Sequence, residues 1–520
     1  MMGPKYPIGI QSFEKLRLGD FVYVDKTDLI YSLAYYGNYY FLSRPRRFGK
    51  SLLLSTLDAY FRGKKELFKG LAIEKLEKEW TEYPVWHLDL NVGEYDDTDS
   101  LNAKLDSFLK PLEEKYGRDP VLREFGQRFE HVINAAYEKL GQQIVILVDE
   151  YDKPLLAAIG NKILQERYRT ILKSFYGAMK STDRCIRFAL LTGVTKFGKV
   201  SIFSDLNHLA DISMDARYQT ICGITEEEIE KYFKPALENV AAVNDITAVE
   251  AHKLVKEQYD GYKFRQDGIN IYNPFSLLNC FATGEMGSYW FETGTPSFLV
   301  HVMQEDNFCL PDMTEEEVTS DLLNSIESID VSPLPLIYQS GYLTIKSYDK
   351  EFKTYTLGFP NREVEEGFIR YLLPYYTNVE KNRSAMFIGN FIKDLENGKP
   401  ENFMRRMEVM FSDTDYKIVG DAELYFQNAF YLIAKMLGFY TEVERTLSNG
   451  RIDMVIQTRN YIYIIEFKYD QSAETALKQI DDKGYAMPFA LDSRKLFKIG
   501  VNFSRKKRCI KEWEVREGNK

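Results

Sequence analysis

The chain has no stretch approaching about 18 consecutive apolar residues, so no membrane-spanning helix is expected. Its start lacks the charged-then-apolar pattern of an export signal. Cysteine is scarce: the five present (Cys185, Cys222, Cys280, Cys309 and Cys509) have no paired spacing, which argues against a zinc site or a disulfide framework and fits a reducing compartment. Histidine is equally scarce, and the five histidines form no ligand cluster. Positive charge is not in excess. With 67 basic and 77 acidic residues the net charge is −10, which excludes a globally basic, nucleic-acid-coating protein while leaving local basic patches open. There is no internal repeat and no long Pro/Gly/Ser linker. What remains is a soluble, cytoplasmic protein without a membrane partner. A composition of 45% hydrophobic and 14% aromatic residues can bury substantial cores. At 520 residues there must be more than one core, and two to four domains are expected.

The aromatic-aliphatic run Tyr39-Tyr40-Phe41-Leu42 reads as a buried strand. It leads through Arg44-Pro45-Arg46-Arg47-Phe48-Gly49-Lys50-Ser51 into an apolar-periodic helix. Strand, Gly-Lys-Ser, then helix is the setting a phosphate-binding P-loop (Walker A) needs. Backbone N–H groups of Arg46, Arg47, Phe48, Gly49, Lys50, Ser51 and Leu52 would draw the phosphates of ATP toward the helix N-terminus. Lys50 would reach the terminal phosphates and the Ser51 hydroxyl would ligate Mg²⁺. One position departs from G-x-x-x-x-G-K-[ST]: its first glycine falls on Arg44. Pro45 is the candidate for supplying the turn that glycine would have made.

The partner acid of such a loop ends the most apolar run, Ile144-Val145-Ile146-Leu147-Val148-Asp149-Glu150 (Walker B). Ligands bind beyond the C-terminal ends of buried parallel strands. Asp149 would hold the Mg²⁺ shell and Glu150 would polarise the attacking water. Thr192, at the end of Arg187–Thr192, would sense the terminal phosphate. Arg46, Arg47, Lys196 and Lys199 are candidates for stabilising the transferred charge. Taken alone, Gly-Lys-Ser is common, and Val-Asp-Glu is usually a strand end meeting solvent; it is their order and setting that carry the reading.

Strand-length runs alternate with amphipathic stretches from residue 39 to about 215, which predicts a parallel α/β sheet. Thr225-Glu226-Glu227-Glu228 opens a charged helical region in the manner of a capping box. Residues 340–346 and 355–360 read as a hairpin after a helix, compatible with a winged-helix module. The expected organisation is α/β throughout: a P-loop NTPase sheet (1–220), a helical lid and winged-helix-like region (221–375), and an α/β nuclease-like domain (376–520).

The last of these rests on a register argument. Residues 450–457 and 461–468 are strand-like, with Thr458-Arg459-Asn460 between them. If Arg459-Asn460 is a two-residue turn, residues summing to 919 stand opposite, and Asp453 and Glu466 do. Their Cβ atoms would be roughly 5 Å apart on one face, with Lys468 two residues beyond on the same side. Two facing acids repel without a cation between them, and an all-oxygen set suits Mg²⁺ or Mn²⁺ rather than zinc. A metal beside a lysine can activate water and stabilise a pentavalent phosphate. Glu423 would add a metal ligand from an upstream helix beginning near Asp421, and Gln479 lies on a helix over 473–480. Ile462 and Ile464 are read as making the opposite face apolar. The bland reading is a half-exposed strand with solvated Glu466 and Lys468. Arg505-Lys506-Lys507-Arg508 reads equally well as a phosphate-gripping patch or as a solvated edge. The abundant tyrosine and phenylalanine are read as packing rather than base stacking.

Five segments then carry a resemblance that covers nearly the whole chain: Tyr23-Val24-Asp25-Lys26-Thr27, Arg44 to Ser51, Asp149-Glu150-Tyr151-Asp152-Lys153-Pro154, Tyr259-Asp260-Gly261-Tyr262 and Tyr272-Asn273-Pro274-Phe275-Ser276. They resemble the bacterial AAA-ATPase-like family, whose members usually end in a PD-(D/E)XK nuclease domain. Asp453, Glu466 and Lys468 match the core of that nuclease pattern. The resemblance implies that Arg44 is the family's own form of the loop. It also implies an ATPase coupled to a Mg²⁺-dependent endonuclease acting on nucleic acid, DNA ahead of RNA. Nucleotide state would control access to the cleavage site through the middle modules. The alternative is a nucleotide-regulated switch or scaffold whose nuclease-like domain binds nucleic acid or a partner without cutting. Homo-oligomerisation is compatible with either.

Overall fold

The structure, a computed structural model, describes residues 4–196, 199–204, 206–292, 299–300, 302–303, 308–315, 317–324, 332–377, 384–411, 422–438, 442–448, 451–507 and 509–518. It divides into two compact units: Met1–Gly294 with Thr314–Val364, and Thr295–Met313 with Glu365–Lys520.

In the first unit β1 (Tyr39–Ser43), β2 (Val85–Asp89), β3 (Ile144–Asp149), β4 (Ile186–Gly193) and β5 (Ala210–Asp211) form an all-parallel sheet in the order β2-β3-β4-β1-β5. The inner strands β1 and β3 are buried at every residue, because helices cover both faces of a parallel sheet. Helix α1 (Lys50–Phe61) follows β1 directly. On the same sheet α2 (Phe125–Leu140) and α3 (Lys162–Ser181) pack through Phe129 and Phe175, whose rings stack at 4.4 Å. β4 lies between the strand that precedes the loop and the strand that ends in Asp149, so Ser43, Asp149 and Thr192 all reach one rim.

The helical stretch begins with α4 (Glu226–Tyr232), and its capping box is present: Thr225 Oγ1 accepts from the Glu228 N–H, and the Thr225 N–H donates to Glu228. After α5 (Pro274–Thr283) and β6 (Glu317–Thr319), α6 (Leu334–Gln339) leads into the hairpin β7 (Thr344–Asp349) and β8 (Thr354–Gly358). β6 adds to the outer side of β8, so the hairpin belongs to a sheet of three strands rather than two.

In the second unit α7 (Ala422–Gly438) precedes β9 (Glu442–Ser448), β10 (Arg451–Gln457) and β11 (Tyr461–Tyr469). Helix α8 (Ala473–Asp482) then crosses to β12 (Lys495–Ser504), followed by β13 (Cys509–Glu517). The sheet order is β13-β12-β11-β10-β9, with β11 and β12 parallel and the other neighbours antiparallel. The central strand β11 is buried on both faces. One face packs Ile462 and Ile464 against Leu477 and Ile480 of α8. The other packs Phe467 with Phe430, and Phe503 with Phe411 and Phe426.

Gly500, paired with Glu466 across the β11–β12 ladder, lets α8 lie close to the sheet. A Cβ there would stand 2.2 Å from the Ala473 carbonyl oxygen and 2.9 Å from Leu477 Cγ. Gly500→Ala is therefore expected to cost about 1–3 kcal/mol, the usual range for overpacking. Chemical denaturation would measure it, and unchanged stability would contradict this packing.

Candidate nucleotide and carboxylate sites

The loop after β1 turns without its first glycine by placing two other residues in the left-handed region, Arg47 at φ +66° and Gly49 at φ +94°. Arg47 is a non-glycine residue held there, as is Glu150 at φ +54°, and such conformations concentrate at functional sites. Beside Gly49 there is open space where a Cβ would stand.

Lys50 is 4% exposed and folds back over the loop. Its Nζ donates to the carbonyls of Arg44 at 3.0 Å and Pro45 at 3.3 Å, and lies 3.3 Å from Glu150 Oε1. Ser51 Oγ donates to Asp149 Oδ2 at 2.5 Å, and Thr192 Oγ1 donates to Asp149 Oδ1 at 2.6 Å. Lys50, Ser51, Asp149, Glu150 and Thr192 are thus brought together. Burial pushes the Glu150 carboxyl upward against the pull of Lys50.

A cavity of about 100 Å³ borders the loop at Phe48, Gly49 and Leu52; Val24, Lys26 and Pro274 also line it. The fit to a magnesium nucleotide is good. The donors around Asp149 are oxygen, as Mg²⁺ requires, the space beside Gly49 is free, and an apolar recess adjoins it.

The other basic candidates are placed differently. Arg47 is exposed over the Phe275 ring, 4.8 Å from its centroid. Arg46 is half-buried, and its carbonyl accepts from Trp290 Nε1 at 3.2 Å. Lys196 and Lys199 both pair with Asp211, at 2.9 and 2.6 Å.

Several positioning groups stand in or beside the segments that carry the resemblance, but the sequence assigned them no role. Asp152 is fully buried and accepts from Thr195 N at 2.6 Å, Thr195 Oγ1 at 2.7 Å and Val194 N at 3.2 Å, which ties the end of β4 to the acid-bearing loop. Phe48 is edge-on to Tyr262 and Phe264, with centroids at 4.8 and 5.4 Å. Gly341, at φ +91°, admits Pro45, since a Cβ would lie 2.5 Å from Pro45 Cβ. Distant segments therefore brace the loop, a long-range fact that no local pattern encodes. Among the described residues one other polyacidic group contains a histidine, His252 with Glu226 and Glu230. Glu226 is already bonded there by Lys256 and the Tyr272 hydroxyl.

In the second unit the register holds: Asp453 pairs with Glu466, and Thr458 and Tyr461 close the Arg459-Asn460 turn, the Thr458 N–H donating to the Tyr461 carbonyl at 2.9 Å. Glu466 is fully buried and Lys468 is 8% exposed, so the solvated-strand reading fails. Lys468 Nζ donates to Glu466 Oε1 and to Gln479 Oε1, both at 2.6 Å. The expectation that Ile462 and Ile464 occupy the opposite face is corrected. Strand alternation puts 462, 464, 466 and 468 on one face, and α8 covers all of it: Leu477 and Ile480 meet the isoleucines while Gln479 meets Lys468. The carboxylate site is the polar end of an apolar seam. Glu423 sits in the first turn of α7; its carboxylate and that of Asp453 lie outside the described residues. Arg505, Lys506 and Lys507 are exposed in the turn between β12 and β13, and Arg508 lies outside the described residues.

The parallel sheet with its lysine-serine loop and the mixed sheet with its carboxylate-lysine strand define an AAA-ATPase-like α/β fold linked to a nuclease-like fold. Residues 7–203 match the family described as "Predicted AAA-ATPase", and residues 421–513 match the PD-(D/E)XK nuclease superfamily. An uncharacterized protein in the vnfD 5' region of Azotobacter chroococcum mcd 1 is 35% identical over 98% of this chain and 98% of its own length. No solved structure gives a significant match. The chain belongs to the family of AAA-ATPase-like proteins that carry a PD-(D/E)XK nuclease superfamily domain. No helix among the described residues is long and apolar enough to cross a membrane.

Proposed function

We propose that the protein hydrolyses ATP and cleaves phosphodiester bonds in DNA, with nucleotide state governing cleavage. The observation that carries the nuclease half is the buried Glu466–Lys468–Gln479 arrangement on a strand whose register sets Asp453 opposite Glu466. A surface ion pair needs no such burial. A buried one is costly unless it serves a function or is fully hydrogen-bonded.

In this reading residues 1–220 carry nucleotide turnover, 376–520 carry cleavage, and 221–375 respond to the nucleotide. Lys50 leaves the loop carbonyls to take the terminal phosphates. Ser51 and Asp149 hold Mg²⁺, with Thr192 fixing the Asp149 rotamer. Glu150 accepts the proton of the attacking water, a role its raised proton affinity suits. At the second site Asp453 and Glu466, with Glu423, hold Mg²⁺ or Mn²⁺, and Lys468, oriented by Gln479, faces the charge that builds on the scissile phosphate. Bound metal supplies charge neutralisation and a more acidic water at each site.

The test is incubation with plasmid, linear and single-stranded DNA and with RNA, with and without ATP, Mg²⁺ and Mn²⁺. Metal-dependent DNA cleavage that ATP changes is expected. Nucleic acid bound but left intact under every condition would overturn the proposal in favour of a nucleotide-regulated scaffold.

A further inference from the structure

Most of the abundant aromatic side chains lie in the cores, but Tyr35 and Tyr36 are 67% and 70% exposed. They close the last turn of the helix Thr27–Tyr36, whose Ile30, Leu33 and Ala34 are the residues that pack inward. The Tyr31 and Tyr35 rings stack at 5.8 Å, and Tyr36 stands edge-on to Tyr35 at 5.0 Å. Adjoining rings held in order and largely open to water form a surface on which further planar groups can stack.

Tyr36 borders a groove of about 600 Å³ whose lining also includes Tyr39, Lys180, Asp183, His208 and Arg217. It sits where β1 begins, whereas the nucleotide loop follows the end of β1, so the two occupy opposite rims of the parallel sheet. Lys180, exposed in the last turn of α3, has no side-chain partner among the described residues. Arg217 is held by Asp215 at 2.7 Å, with its guanidinium over the Tyr218 ring. His208 stands 3.9 Å from Asp183 and edge-on to the Tyr39 ring at 4.1 Å. Arg184, next to Asp183, is exposed as well. With histidine neutral, Lys180, Arg184 and Arg217 outnumber Asp183 and Asp215 here, although the whole chain carries a net charge of −10. A groove of this bias draws anions to one place on an otherwise acidic protein.

We propose that this groove binds single-stranded nucleic acid, with unpaired bases stacking on Tyr36 and Tyr35 and with Lys180 and Arg217 taking the adjoining phosphates. Open aromatic rings beside cations are what an unpaired strand requires, since every base has a face to stack and every link a charge to neutralise. The volume is in the range of small-ligand sites, so it admits unpaired nucleotides but not a duplex, whose bases are already stacked on one another. A purely apolar partner would gain nothing from the free ammonium of Lys180. The inference rests on the proposed action on nucleic acid for its substrate class alone. It adds a point of grip on the unit that carries the nucleotide loop, not on the one that carries the carboxylates.

The test is photo-cross-linking of the full chain to an oligothymidine of about 16 nucleotides carrying 5-iodouracil, in EDTA and without ATP, so that no strand is cut. Mass spectrometry should find the cross-link on Tyr35 or Tyr36. Yield at that peptide against protein concentration gives a half-saturation point to which strands held by the second unit do not contribute. Tyr36→Ala should raise the half-saturation of the Tyr35 cross-link about 5- to 150-fold, the worth of one stacked base, and Tyr36→Phe should leave it unchanged. Lys180→Glu should raise it about tenfold through charge reversal beside a phosphate. No cross-link at either tyrosine, a half-saturation unmoved by Tyr36→Ala, or equal cross-linking of a hairpin duplex would each overturn the proposal. Cross-linking at these tyrosines in a protein that cuts nothing under any condition would sustain it while the cleavage reading fell.

Discussion

Glu466→Gln should abolish DNA cleavage while leaving ATP turnover where it was. The amide keeps the shape of the fully buried side chain and can still accept from Lys468 through its oxygen, so the sheet should persist. What it loses is the negative charge that would hold a divalent cation. Outer partners of metal ligands alone typically cost 10- to 100-fold when removed, so loss of a ligand itself should cost at least about a hundredfold. Asp453→Ala should do the same from the facing strand. Gel assays of cleavage run beside phosphate-release measurements decide this. Cleavage persisting in either variant would remove the carboxylate pair from the chemistry. Loss of both activities together would instead point to a folding defect, which thermal melting would expose.

Lys50→Ala should eliminate nucleotide binding, and Glu150→Gln should separate binding from turnover. Lys50 is buried with its ammonium on two loop carbonyls and Glu150, poised where the loop narrows. Alanine leaves nothing to meet a terminal phosphate, and titration calorimetry should register no ATP heat. Glutamine at 150 keeps the volume and removes the base. ATP should still bind, and hydrolysis should fall by about 10²- to 10⁴-fold, the usual worth of a positioned general base. Wild-type turnover in Lys50→Ala would place nucleotide chemistry elsewhere in the chain.

Much of this was legible in the residues because it is local or periodic. The buried runs ending in Ser43, Asp149 and Gly193 read as parallel strands since such strands are apolar throughout, and they are. The pairing of Asp453 with Glu466 followed from a turn of two residues and simple counting. Strands β9 and β13 were not read, and the face assignment of Ile462 and Ile464 was wrong because residues two apart on a strand share a face, which puts both isoleucines beside Glu466 and Lys468. The fate of Arg44 was also beyond the sequence. Its stacking on Phe264 and its bond to Ser213 join residues far apart in the chain. The same holds for the five segments of the resemblance. Val24 and Lys26 line the recess by the loop, Tyr262 braces Phe48, and Phe275 lies under Arg47.

The wedge of Phe48 between Tyr262 and Phe264 bears on how the chain matures. More than two hundred residues separate the loop from its aromatic supports. At about 5–20 residues per second of synthesis, roughly 10–40 s pass between the emergence of the one and the arrival of the other. Until then the loop lacks the contacts that set its final form, and closing so long a segment carries its own entropic delay. A nascent chain halted in this interval would hold every residue of the Gly-Lys-Ser segment without its bracing. Competence for nucleotide would arrive late in translation, timed by the helical region and not by the sheet that carries the loop.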